Sequence, residues 1–376
     1  MSWKSKPSTR CHCEASNSSE TSRRAILRPY RGRPDRGGQP VVPDWDALVD
    51  DVHVVSLPMR VPFRGVRTRE ALLLRGPVGW GEFAPFLEYD DTEATRWLSA
   101  AIEAAFTGWP AARRAAVPVN ATVPAVSARE VADVLARFPG CTTAKVKVAQ
   151  AGQTLFDDLA RVAEVRSVLG RRGRVRVDAN GAWSVEQALN ALQSLAPYDL
   201  EYAEQPCATV AELAAVRAGL ARAGVPILIA ADESVRKADD PARVALAGAA
   251  DILVVKVAPL GGVAPALSIA ATCGLPVVVS SALDTSIGIR AGIAMAAALP
   301  DLPYACGLGT ASLLGADVVR APLLPVAGAI EVGSVIPDPE LLAAATANAG
   351  RRRWWLERLR RCHAVLTAAA TTDFPP

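Results

Sequence analysis

A (β/α) barrel carrying a small α+β cap is the fold class this sequence predicts, and two observations predict it. From residue 117 onward, short apolar, β-branched runs alternate with longer segments of helical period, and eight such runs occur before residue 310. Between them stand helix starts of the capping-box kind, in which a Ser or Thr covers free N–H groups and a Glu or Gln three residues later covers the cap in return. Ser127 with Glu130, Ser184 with Gln187 and Thr209 with Glu212 match that pattern. Repeated strand, helix, strand units require right-handed crossovers and a parallel sheet, and eight strands is the number that closes a barrel. An open doubly wound sheet is the competing fold, but no glycine-rich dinucleotide fingerprint follows the first strand.

Taken in order, residues 1–43 hold nine Lys/Arg against three Asp/Glu, leaving 32 basic and 35 acidic residues for the rest of the chain. The net charge of +3 therefore belongs to this segment. It is rich in Ser, Arg, Pro and Gly and lacks apolar periodicity, so it is expected to be a disordered extension that buries too little surface to offset chain entropy. Glu14 and Glu20 set it apart from a transit peptide, and an over-long start is the simpler account. Cys11, His12 and Cys13 are adjacent with no second cluster, a poor pattern for a metal site. The other cysteines are scattered and follow no secretory apolar region, which points to a reducing cytoplasm.

Residues 44–116 read as the cap, with strands at 52–59 and 70–74 and a helix at 92–106. The segments 61–67 and 79–86, rich in Gly, Pro and aromatic residues, are expected to be loops over the barrel mouth. The barrel occupies 117–310, with strands at 119–123, 144–148, 175–179, 200–205, 227–233, 252–257, 277–281 and 304–308. Residues 311–376 contain no further unit and are expected to return to the cap. Their basic run, Arg351 to Arg361, reads as a solvated helix face and not as a nucleic-acid surface. Hydrophobic residues make up 51% of the chain, yet no apolar run reaches the ~18 residues of a membrane span. Neither nucleic acid nor a membrane is expected as a partner, and a monomer is compatible with the pattern.

The chemistry lies at the strand ends, where barrel enzymes place catalytic groups. Lys145 and Lys147 fall on the second strand, Asp178 on the third, Glu204 on the fourth, Asp232 on the fifth and Lys256 on the sixth. Three carboxylates on successive strands offer a hard, all-oxygen site that suits Mg²⁺, with Mn²⁺ able to substitute. Strands two and six lie opposite in a ring of eight, so Lys147 and Lys256 are expected to flank a substrate held at that site. Any one of these residues alone has an ordinary structural reading as a cap or a loop ion pair. Three lysines inside apolar strands do not, because burying one unpaired ion costs several kcal/mol. Lys145 and Lys147 share a side of their strand, and two neighbouring cations lower the pKa of at least one, which prepares Lys147 to act as a base.

Lys145-Val-Lys147, Asp178-Ala-Asn180, Glu204-Gln-Pro206, Asp232-Glu-Ser234 and Lys256 resemble the signature of the enolase superfamily, in its muconate cycloisomerase-like subgroup. Longer stretches, including Gly79-Trp-Gly-Glu-Phe83, Thr143 to Val148 and Val278-Val-Ser-Ser-Ala-Leu283, are similar to an actinobacterial dehydratase family of that subgroup, and the likeness runs from about residue 50 to 340. The resemblance implies a (β/α)7β barrel, with Asp178, Glu204 and Asp232 as magnesium ligands, Lys147 as base and then acid, and Lys256 as the opposing cation. It implies a lyase that removes water from a succinyl-bearing cyclohexadiene carboxylate, through an ene-diolate, to form an aromatic acid of menaquinone synthesis. Under the same resemblance Ser280, Ser281 and the backbone of Gly307 are candidates to bind the succinyl carboxylate, with Arg64 and Phe86 as cap candidates. Asn180 and Glu233 are candidates to support the ligands. Arg176 has two readings, orienting Asp178 or forming an interior salt bridge. An N-succinylamino-acid racemase, another epimerase, or a cycloisomerase would use the same residues and is the alternative activity.

Overall fold

The computed structural model describes residues 42–63, 65–236 and 248–372. The expectations for residues 1–41, with Cys11, His12 and Cys13, and for Arg64 lie outside them. The chain enters through helix α1 (Trp45–Val49) into an antiparallel sheet of β1 (Val52–Phe63), β2 (Val66–Arg75) and β3 (Trp80–Phe83). Val54, Leu72 and Leu74 of this sheet pack on one core, and Val55, Leu57, Ala71 and Leu73 pack on another. Burial on both faces explains why 71–74 reads as an unbroken apolar run instead of an alternation.

Helix α2 (Asp91–Ile102) follows, its first turn capped by the Asp90 carboxylate, which accepts from Glu93 N–H at 2.7 Å. Here the structure corrects the sequence. The segment 61–67 largely extends the β1–β2 hairpin, and 79–86 is no loop, because Trp80–Phe83 is a fully buried third strand. Gly79 before it, Gly81 within it and the aromatics disguised it. Gly81 is required by close approach, since a Cβ there would lie 2.1 Å from the Ala101 carbonyl oxygen of α2.

The remaining chain runs β4 (Ala116–Pro118), β5 (Ala121–Val123), α3 (Val131–Leu135), β6 (Thr143–Lys147), α4 (Leu155–Leu169), β7 (Arg174–Asp178), α5 (Val185–Leu195), β8 (Leu200–Glu204), α6 (Val210–Arg222), β9 (Leu228–Ala231), α7 (Glu233–Arg236), β10 (Ile252–Lys256), α8 (Val263–Cys273), β11 (Val277–Ser280) and α9 (Ser286–Ala298). It ends in β12 (Ala329–Glu331), which pairs with β4, and in helices α10 (Pro339–Ala344) and α11 (Ala349–Thr372). Strands β5 to β11 form one parallel sheet in sequence order. Its two edges meet on the eighth predicted strand, where Cys306 bridges Val119 and Gly307 bridges Ser280, and this closes the barrel.

All three predicted capping boxes form, and a fourth joins Thr154 to Asp157. The strand period of two then sorts the side chains. Val146, Val177, Ala203, Ile229 and Val255 point outward into the large core beneath the helices. Tyr202, Ala230, Val254 and Val278 fill the barrel interior, and the residues two positions later in each strand reach its mouth. Helix α11 corrects the reading of its basic run. Arg358 is 1% exposed and donates to the carbonyls of Phe86, at 3.2 Å, and Tyr89, while Arg351 pairs with Glu70 and Arg361 with Asp91. Arg352, Arg353, Arg360 and Arg361 are exposed, so the solvated face forms at those four positions and fails at Arg358. Among the described residues no helix is long and apolar enough to cross a membrane, and the five described cysteines are free thiols.

Candidate active site

Six polar side chains stand at consecutive strand ends. Lys147, Asp178, Glu204, Lys256 and Ser280 are the last residues of β6, β7, β8, β10 and β11, and Asp232 directly follows β9. In register, Lys147 lies opposite Asp178, Asp178 opposite Glu204, and Lys256 opposite Ser280. The barrel therefore gathers on one rim what the sequence spreads over more than 130 positions.

Charge is matched locally. Lys145 Nζ donates to Asp178 Oδ2 at 2.8 Å and to Glu204 Oε1 at 2.6 Å. Lys147 Nζ reaches the same Asp178 oxygen at 2.5 Å and Asn180 Oδ1 at 2.6 Å, and Lys256 pairs with Asp232. The three carboxylates are at most 1% exposed. Burial alone would raise Asp178, but Lys145 and Lys147 hold it well below the usual carboxylate range. Glu204 goes the other way, pushed up to about 8 by burial and then by the charges of Asp178 and Asp232. Lys147 is lowered, as the sequence predicted, although burial is the larger cause and the neighbouring Lys145 a smaller one. Lys145, pinned between two carboxylates, is raised well above the ordinary lysine value despite its burial.

Three buried carboxylates form a hard-oxygen donor set, and Glu204 Oε2 is buried with no hydrogen-bond partner among the described residues. That bare oxygen fits a divalent cation. Ammonium groups of Lys145, Lys147 and Lys256 engage one oxygen of each carboxylate.

The predicted supporting residues divide. Asn180, held in the left-handed region at φ +48°, donates through its backbone N–H to Asp178 and through its amide to Glu233 at 3.2 Å, so Asn180 touches a rim carboxylate directly and Glu233 meets it through Asn180. Arg176 does not touch Asp178. Its guanidinium pairs with Glu201 at 2.5 Å, bonds Asn120 and the Ala305 carbonyl, and lies 4.7 Å over the Tyr202 ring, which is the interior salt-bridge reading. Ser280, Ser281, Gly307 and Phe86 line one pocket with Lys147 and Lys256, Phe63 and Leu283. Gly307 cannot offer the backbone donor expected of it, since its N–H bonds the Val279 carbonyl at 2.8 Å. A side chain at this position would crowd the pocket serine, as a Cβ would sit 2.6 Å from Ser280 Oγ.

Gln205 was missed by sequence reasoning. Its amide oxygen accepts from the backbone N–H groups of Asp232 and Ser234, at 2.9 and 3.2 Å, and its nitrogen bonds the Cys207 carbonyl and Ser234 Oγ. It thereby fixes the turn that presents Asp232. The available signal was its place beside Glu204 in an apolar strand end, where a fully buried amide needs several partners.

Comparisons with known proteins agree with this geometry. Residues 126–338 match the family described as enolase C-terminal domain-like, and residues 54–105 match enolase N-terminal domain-like. The chain is 57% identical over 331 residues to the o-succinylbenzoate synthase of Mycobacterium leprae (strain TN), covering 88% of this chain and 96% of that protein. The chain belongs to the o-succinylbenzoate synthase family of the enolase superfamily. A second member of this synthase family, from Mycolicibacterium smegmatis (strain ATCC 700084 / mc(2)155), is 58% identical over 326 residues, 86% of this chain and 99% of that one. The enolase fold itself is shared with the muconate lactonizing enzyme from Pseudomonas fluorescens, with a TM-score of 0.66 at 23% identity over 79% of this chain and 98% of that chain. Enolase-superfamily members use a divalent metal, typically Mg²⁺.

Proposed function

We propose that this chain is a dehydratase that converts 2-succinyl-6-hydroxy-2,4-cyclohexadiene-1-carboxylate to o-succinylbenzoate, a step of menaquinone synthesis. The observation that carries the reading is one pocket lined by both Lys147 and Lys256, above three buried carboxylates. Asp178, Glu204 and Asp232 would hold Mg²⁺, with Mn²⁺ able to substitute. When bound, the cation supplies positive charge to the substrate carboxylate and so favours the anionic state formed by loss of the α-proton.

Lys147 takes that proton. Its burial lowers the ammonium pKa and makes the free amine more accessible, and Asn180 and Asp178 orient the Nζ. The same Nζ then returns the proton to the departing hydroxyl, which leaves as water while the ring becomes aromatic. Lys256, held by Asp232, stays a fixed charge on the other side of the pocket. Asn180 and Glu233 keep the carboxylates in place, and Ser280 and Ser281 on the β11 rim face the succinyl side chain. Free cysteines and a small-metabolite substrate support work in the cytoplasm.

The decisive test uses purified enzyme with Mg²⁺ in deuterated water. Dehydration of the cyclohexadiene substrate is expected to be fast, and α-hydrogen exchange on either enantiomer of an N-succinylamino acid slow by comparison. Rapid exchange and interconversion of both enantiomers, with dehydration slower or absent, would overturn the dehydratase reading in favour of a racemase.

A further inference from the structure

One wall of the pocket is held from the cap. Arg69, in β2, is 4% exposed, and its guanidinium spans the seam between cap and barrel. Its Nε donates to the Leu283 carbonyl at 3.0 Å, and its Nη2 donates to the carbonyls of Ala282, at 3.2 Å, and of Ala84. The same group lies 4.7 Å over the ring of Phe86. Ala282, Leu283 and Phe86 all line the pocket. Leu283 sits at φ +62°, a conformation that an L-residue keeps only where its surroundings hold it. One step on, Glu82 of β3 grips the start of α9, accepting from Thr285 N–H at 3.1 Å, Thr285 Oγ1 at 2.5 Å and Gly288 N–H at 3.0 Å.

We infer that Arg69 is a positioning residue for substrate selection, which together with Glu82 locks the 281–285 turn and the Phe86 ring into the wall that receives the part of the substrate remote from the reacting carbon. A planar fork can satisfy three carbonyls and stack on a ring at once, whereas a lysine ammonium is a point donor on a flexible stem and cannot do both. Arg69 makes no hydrogen bond to Lys147, Asp178, Glu204, Asp232 or Lys256 among those described above, so its loss loosens binding while leaving the proton-transfer groups in place. Uniform loss of binding of this kind raises KM and spares kcat.

The inference rests on the dehydratase reading, and the experiment separates the two. Steady-state dehydration and calorimetric binding of o-succinylbenzoate are measured for wild type, Arg69→Lys, Arg69→Met and a control, Leu48→Ala, which opens a cap core at a residue that does not itself line the pocket. Arg69→Met is expected to raise KM and weaken product binding at least 10-fold with kcat within about 5-fold. Arg69→Lys is expected to raise KM at least 5-fold, with faster amide hydrogen exchange confined to 281–288. Leu48→Ala should lower the melting temperature and leave KM unchanged. If Arg69→Met fails to fold, Arg69→Lys decides. A folded Arg69 variant with wild-type KM, product affinity and exchange overturns the inference while the dehydratase reading stands. A KM rise of the same size in Leu48→Ala also overturns it, by showing that any loss of cap stability has this effect. Wild type without dehydration sinks the function itself and takes this inference with it.

Discussion

Two buried glutamates in this molecule are pushed to the same place by the same physics, yet are built for different purposes. Glu204 at the barrel mouth and Glu82 at the seam are both raised to about 8, in each case by burial first and a neighbouring aspartate second. Their hydrogen bonds separate them. Glu82 accepts from the backbone N–H groups of Thr285 and Gly288 and from the Thr285 hydroxyl, fixed donors at a helix start. Glu204 has one oxygen on Lys145 and the other bare. Satisfied lone pairs mark a carboxylate that holds structure together, and a bare buried one marks a place for something the chain does not itself provide. A raised pKa alone would not have told them apart.

The largest effects should come from the mouth. Lys147→Ala is expected to cut dehydration by a factor of roughly 10² to 10⁴ or more, the range for a positioned acid–base group, with the fold intact by circular dichroism. Turnover should vanish in excess EDTA and return with magnesium or manganese. Full turnover under chelation would end the metal assignment and remove the contrast with Glu82.

Next in size is a paired substitution. Glu204→Gln should weaken Mg²⁺ binding at least 10-fold by calorimetry and abolish most of the metal-dependent rise in melting temperature, while the metal-free protein melts within a few degrees of wild type. Glu82→Gln should leave Mg²⁺ affinity unchanged. Equal losses in both variants would show that the bare oxygen of Glu204 carries no special meaning.

The smallest effect is in the pH dependence of stability. A folded chain that keeps the Glu82 proton up to about pH 8 holds it where the unfolded chain, near its ordinary 4.5, has given it up. The unfolded state then binds fewer protons, so this group's stabilising contribution is complete below about pH 4.5, declines as pH rises and is gone above about 8. Metal-free wild type should lose on the order of a few kcal/mol across that window, and Glu82→Gln should flatten the slope of melting temperature against pH. An unchanged slope would mean that the helix-start donors keep Glu82 ionised.

Much of this was legible in the chain. The seven strands of the barrel sheet, the segment that closes it through Cys306 and Gly307, three capping boxes and rim residues Lys147, Asp178, Glu204, Asp232 and Lys256 could be read because period-two alternation, cap chemistry and the improbability of lysine inside an apolar strand are local properties. Strand β3 escaped because its glycine, Gly81, is demanded by α2, a neighbour in space. Arg358 escaped because only packing shows which arginine in a basic run is buried.

What the sequence by itself determined was which residues carry charge at which strand end, and so the barrel and the chemistry available at its mouth. Only the tertiary structure decided how those groups are partnered. Arg176 turns to Glu201 and away from Asp178, Gly307 gives its N–H to the strand ladder, Gln205 holds the turn from Asp232 to Ser234, and Arg69 reaches more than 200 positions along the chain to Leu283. The reason is physical. A hydrogen bond is set by directions and distances of a few ångströms between segments remote in sequence, and no pattern along one segment specifies them.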